Sequence, residues 1–210
     1  MQYPLNTTLS EKTPYLSVLR KHTARTKLFF LLLLATFVPI VGYADTIYSE
    51  TFGTPTSSCK VSDYTAWSCG EVRYSGTAGI DYQSSKQCTL SGSSRNGYLR
   101  LYTKYNEFCV SGINTMGYKS LSLSFNYKGS VNGVNLTIQY SLDGTTYKVL
   151  KAMYAWNTWE KYTLPLSLVP SEALSLKITL KDNGRDLFID DLSIEGTALS
   201  VHPSGMVCRG

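Results

Sequence analysis

The segment Leu121-Ser122-Leu123-Ser124-Phe125-Asn126-Tyr127-Lys128-Gly129-Ser130-Val131-Asn132-Gly133-Val134-Asn135-Leu136-Thr137-Ile138-Gln139-Tyr140 alternates twice between apolar and polar side chains. Residues two apart on a strand share a face. Each half therefore lays one apolar row, Leu121 to Tyr127 and Val134 to Tyr140, on a core and leaves Ser, Asn, Thr and Gln toward solvent. Between the halves, Lys128-Gly129 and Asn132-Gly133 supply the positive φ that tight reversals need. The same period recurs at Leu174, Leu176, Ile178 and Leu180, and Asp143-Gly144 and Asn183-Gly184 add further turn signals.

More strands are expected at 46–52, 98–103, 108–111, 147–153, 159–164 and 187–194, and no segment reads as a long amphipathic helix. About nine short antiparallel strands in one domain imply an all-β fold, a two-sheet antiparallel β-sandwich of the jelly-roll kind. The stretch 54–94, rich in Ser, Gly, Thr and Tyr, is expected to form loops and edge strands and to carry whatever is ligand-specific.

Upstream of the strands, Arg20, Lys21, Arg25 and Lys27 lead into the apolar run Leu28 to Ile40, closed by Gly42-Tyr43-Ala44. A basic region, a short apolar stretch and small residues before the cleavage point make a secretory signal peptide that would leave Asp45 first. The competing reading is an uncleaved membrane anchor, although the run falls short of the roughly 20 residues that span a bilayer. Met1 to Leu19 has little pattern and reads as an over-extended start. The expected organisation is a leader and signal peptide at 1–44, the sandwich at 45–196 and a tail at 197–210, in a protein that is secreted or held at the cell surface.

The formal charge of +5 suggests a nucleic-acid-binding protein, yet five of the twenty Lys and Arg residues precede Asp45. Cleavage would leave fifteen bases and fourteen acids, scattered singly, with no footprint for a phosphate backbone. Neither a nucleic acid nor, after cleavage, a membrane is an expected partner. Five cysteines stand at 59, 69, 88, 109 and 208. In an exported protein they are expected to oxidise, and the favoured pairs are Cys59 with Cys69 and Cys88 with Cys109, each flanking a short connection. Cys208 is left as a free or intermolecular thiol. No C-x-x-C spacing supports zinc.

Several segments together resemble a known family: Ser49-Glu50-Thr51-Phe52-Gly53-Thr54, Gly112-Ile113-Asn114-Thr115-Met116-Gly117-Tyr118, Tyr140-Ser141-Leu142-Asp143-Gly144-Thr145-Thr146-Tyr147 and Leu187-Phe188-Ile189-Asp190-Asp191-Leu192-Ser193-Ile194. In order and spacing they are similar to galactose-binding-like jelly-roll domains of exported Bacteroidetes proteins, a class that includes choice-of-anchor domains and many carbohydrate-binding modules. The resemblance implies a structural Ca²⁺ between the first and last strands, held by Glu50 with Asp190 or Asp191. Carboxylates at both chain ends plus backbone carbonyls could supply its six to eight oxygens. By alternation Asp190 shares a face with Phe188, Leu192 and Ile194 and is the better candidate for burial; the competing reading is that both acids are solvated or hydrogen-bonded at a strand end.

The resemblance also implies a non-catalytic module. Tyr64, Trp67, Tyr154, Trp156 and Trp159 could offer ring faces to sugars. Trp159 precedes a core-like strand and is expected to pack inside. Trp67 lies in the cysteine-flanked region and Trp156 in a turn, so Tyr64, Trp67 and Trp156 are the expected ligand contacts for a carbohydrate or another extracellular polymer. Catalysis has little to draw on: residues 45–196 hold no histidine, which removes Ser-His-Asp and Cys-His arrangements. Glu71, Asp81, Glu107 and Glu160 are no more than the acids any domain carries. The competing function is a structural or protein-adhesive accessory domain, possible as a fragment of a larger exported protein.

Overall fold

The computed structural model describes residues 44–95 and 97–199. The expected leader and signal peptide up to residue 43 and the tail beyond residue 199, with Cys208, lie outside them. Among the described residues no helix is long and apolar enough to cross a membrane.

Twelve strands follow in order: β1 (Ala44–Glu50), β2 (Cys59–Lys60), β3 (Arg73–Gly76), β4 (Gly79–Asp81), β5 (Tyr98–Leu101), β6 (Glu107–Ile113), β7 (Tyr118–Gly129), β8 (Val134–Ser141), β9 (Lys148–Ala155), β10 (Glu160–Pro165), β11 (Leu174–Leu180) and β12 (Leu187–Ala198). They form two antiparallel sheets. The larger runs β10-β7-β12-β5-β4-β2, with β1 also on β12; the smaller runs β3-β6-β11-β8-β9. Consecutive strands pair within one sheet at β4 to β5, across a long loop, and at the β8 to β9 hairpin. From β5 onward the chain crosses between sheets at every step except β8 to β9, as in a jelly roll. The turn between Tyr127 and Val134 is therefore a corner and not a hairpin, since β7 and β8 lie in opposite sheets. Gly129 is required there: a Cβ would meet the Val131 carbonyl, the Val134 side chain and the Ala155 carbonyl.

Period-two alternation builds the core as expected. Leu121, Leu123, Phe125 and Tyr127 of β7 face Val134, Leu136 and Ile138 of β8, with Leu174, Leu176, Ile178 and Leu180 of β11 beside them, and all are buried. In β12 the alternation breaks. Asp191 has φ +50°, and the pairing with β7 slips between Asp190 and Ser193. Leu187 and Ile189 before this bulge and Leu192 and Ile194 after it all join the inter-sheet core. Asp190 is buried, but with Phe188 on the outer face of the larger sheet; the expectation that it shares a face with Leu192 and Ile194 is corrected by the bulge. A second small cluster, Cys88, Tyr98, Trp159 and Phe188, occupies that outer face, so Trp159 is packed inside the molecule though not between the sheets.

Candidate functional site

Tyr64 and Trp67 do not form an exposed platform. Trp67 stacks on Tyr74, centroids 3.8 Å apart and 6° from parallel, and meets Tyr64 edge-on at 4.8 Å, with Phe108 behind. Tyr64 is buried and donates its hydroxyl to the Phe52 carbonyl at 2.7 Å. Burial, then the nearby Glu50, pushes its pKa up to about 12. These rings plug one end of the core because the edge strands leave it open. Trp156 differs: it is 49% exposed just after β9, while its carbonyl accepts the Gly129 N–H at the corner.

The favoured disulfides are absent. Cys59, Cys88 and Cys109 are free thiols, while Cys69 is disulfide-bonded. Geometry explains the second pair. Cys88 lies on the outer face of the larger sheet, and Cys109 on the outer face of the smaller one, between inward-facing Phe108 and Val110. Two packed sheets, about 10 Å apart, separate Cα atoms that a disulfide would need within about 7 Å.

Nor are the three acids implied for Ca²⁺ brought together. Glu50 pairs with Leu192 and points inward, where it accepts four hydrogen bonds: Phe52 N–H at 2.7 Å, Ser68 N–H at 2.9 Å, Ser68 Oγ at 3.0 Å and Tyr74 hydroxyl at 2.8 Å. Asp190 and Asp191 sit on the other face of the same sheet, tied to Ser94 and, for Asp191, to Asn126 Nδ2 at 2.8 Å. Among the described residues no three His, Cys, Asp or Glu side chains converge as a metal site.

What the structure does assemble is the outer face of the smaller sheet. Between the core residues of β8 lie Asn135, Thr137 and Gln139, and between those of β11 lie Ser175, Lys177 and Thr179. Register aligns one row across the sheet. Tyr154 of β9 pairs with Asn135; the Lys181 N–H bonds to the Asn135 carbonyl; the Tyr105 N–H bonds to the Leu180 carbonyl. Tyr154 and Tyr105 are 59% and 62% exposed and stand three strand spacings apart, roughly 14 Å. Between them runs a polar floor whose next row is Ala152, Thr137, Thr179 and Glu107. At the far end Tyr147 folds over the sheet. Its hydroxyl lies 3.0 Å from Cys109 Sγ, and the Lys177 ammonium sits 4.0 Å from its ring centroid. Burial and the Cys109 contact raise the Tyr147 pKa to about 12, so the hydroxyl stays protonated.

Tyr105 was invisible as a contact because it sits in a short loop with no period. The loop is nevertheless rigid. Buried Asn106 accepts from Tyr102 N–H, Thr103 N–H and Thr103 Oγ and donates to Thr77, while Tyr105 itself is held at φ +66°. A non-glycine residue in that region is strained on the order of 1 kcal/mol, and such strain collects at functional positions.

No family model and no curated protein matches the chain. Among solved structures it is similar to the family 22 xylan-binding domain from Paenibacillus barcinonensis Xyn10C, at 15% identity over 76% of this chain and 99% of that one, with a TM-score of 0.45. It is also similar to a variant family 29 carbohydrate-binding module complexed with mannohexaose, at 12% identity over 73% and 91%, TM-score 0.45. A third is the carbohydrate-binding module TmCBM61 in complex with β-1,4-galactotriose, at 15% identity over 60% and 88%, TM-score 0.43. Likeness at this level carries nothing about the ligand of this chain.

Proposed function

We propose that this protein is a non-catalytic, exported module that binds an extended polysaccharide across the outer face of the smaller sheet. The observation that carries this is the row Tyr154–Asn135–Lys181–Tyr105: two exposed rings framing a hydrogen-bonding floor on rigid elements. Ring faces suit the C–H faces of sugars, and the partly exposed Asn135 and Gln139 of β8 offer donors and acceptors for hydroxyls. Trp156 extends the aromatic edge two residues beyond Tyr154. It is the one of the three aromatics expected from sequence that stands exposed. Tyr64 and Trp67 act beneath the surface, as packing.

The test is affinity electrophoresis and calorimetry of the full chain against a panel of plant and host polysaccharides. Tyr154→Ala and Trp156→Ala are expected to weaken binding by about tenfold or more, roughly 1.4 kcal/mol, with unchanged melting temperature; Trp67→Ala is expected to lower the melting temperature instead. A folded protein that binds no polysaccharide overturns this reading in favour of a protein-adhesive domain, for which the exposed Val149 and Tyr154 on edge strand β9, with Trp156 just after it, would be the contact.

A further inference from the structure

The polar floor has an uneven charge. Lys104 and Lys181 come from different elements, the loop before β6 and the end of β11, yet both ammonium groups lie over one exposed ring, 5.1 and 5.6 Å from the Tyr105 centroid. Neither has an ion-pair partner among the described residues. The neighbouring acids are taken: Glu107 lies 3.5 Å from Lys177, and Asp182 accepts the Asn135 N–H at 2.6 Å and stands 3.8 Å from Arg185. Two like charges drawn to one ring repel each other, and the ring's quadrupole compensates only in part. The loop is preorganised by Asn106, so the pair is displayed and not merely tolerated.

Resting on the polysaccharide reading above, we propose that the sugar polymer bound by this face is anionic, its carboxylate or sulfate seated between Lys104 and Lys181 while a ring lies on Tyr105. Lysine is a compact point charge that suits either group. The anion relieves the repulsion between the two ammoniums, so a charged polymer gains an attraction that a neutral one lacks. Single-stranded nucleic acid offers the same combination of ring and anion. It is disfavoured because the domain has no wider basic stripe to follow a phosphate backbone.

The experiment compares the full chain on polygalacturonate, a sulfated glycan, neutral xylan and mannan, and a single-stranded oligonucleotide at two salt concentrations. Expected is at least about tenfold tighter binding to one of the two anionic polymers than to the neutral ones, weakening as salt rises. The preferred polymer distinguishes carboxylate from sulfate. In Lys104→Gln/Lys181→Gln the preference for the anionic polymer and the salt dependence are lost while the melting temperature persists. Equal binding to neutral and charged polymers, unaltered in the double variant, overturns the anionic ligand and leaves the polysaccharide reading standing. Tightest binding to the oligonucleotide overturns it too, and absence of all glycan binding overturns both.

Discussion

Asp190 occupies the least favourable place for a charge in the described structure. It is fully buried beside Asp191, its own contacts being the Asp191 N–H at 2.9 Å and the Ser94 hydroxyl at 3.3 and 3.5 Å. Burial, and then the Asp191 charge, push its pKa up to about 7. A carboxyl whose pKa is raised on folding contributes stability below its unfolded value, and that contribution is lost as pH rises from about 4 to about 7. Asp190→Asn is therefore expected to be more stable than the parent at pH 8, on the order of 2 to 4 kcal/mol. The gap should close toward pH 4. Melting curves of both proteins at pH 5 and 8, with and without a chelator, check this. A variant less stable at pH 8, together with a parent melt that falls on chelation and returns with Ca²⁺, would mean that a cation neutralises the pair instead. Residue identity alone placed two acids at the end of the chain; which of them is buried, and on which face, depended on one left-handed residue.

At the scale of elements, β12 organises the larger sheet, pairing with β7 along one edge and with β5 and then β1 along the other. The long strands were legible because their alternation covers seven or more residues. The short strands β2, β3 and β4 were not, since two to four residues carry no usable period. What holds β3 is backbone geometry. Gly76 has φ +131°, and a Cβ there would collide with the Glu107 carbonyl on β6. Gly76→Ala is expected to cost about 3 kcal/mol or more, read as a lower urea midpoint with unchanged m value. A shift under about 0.5 kcal/mol would show that β3 yields independently of β6.

For the molecule as a whole, three unpaired thiols in a chain expected to be exported form a direct check on the architecture. Alkylation without reductant is expected to label Cys59 first in the native protein, with Cys88 and Cys109, 1% and 7% exposed, reacting only on denaturation. Peptide mapping that finds Cys88 joined to Cys109 would contradict the two-sheet placement of those strands. The sequence by itself determined that the domain is an antiparallel sandwich and which sides of β7, β8 and β11 face the core, because that choice follows from a period of two and the cost of exposing apolar rows; in β12 the bulge at Asp191 overrode it. Only the tertiary structure decided which aromatics are free, which cysteines can meet and where the acids stand. Each of those depends on what lies over the outer face of a sheet, and the residues that supply it, such as Ser94 for Asp190 or Lys181 for Tyr105, are distant in sequence and carry no local signal.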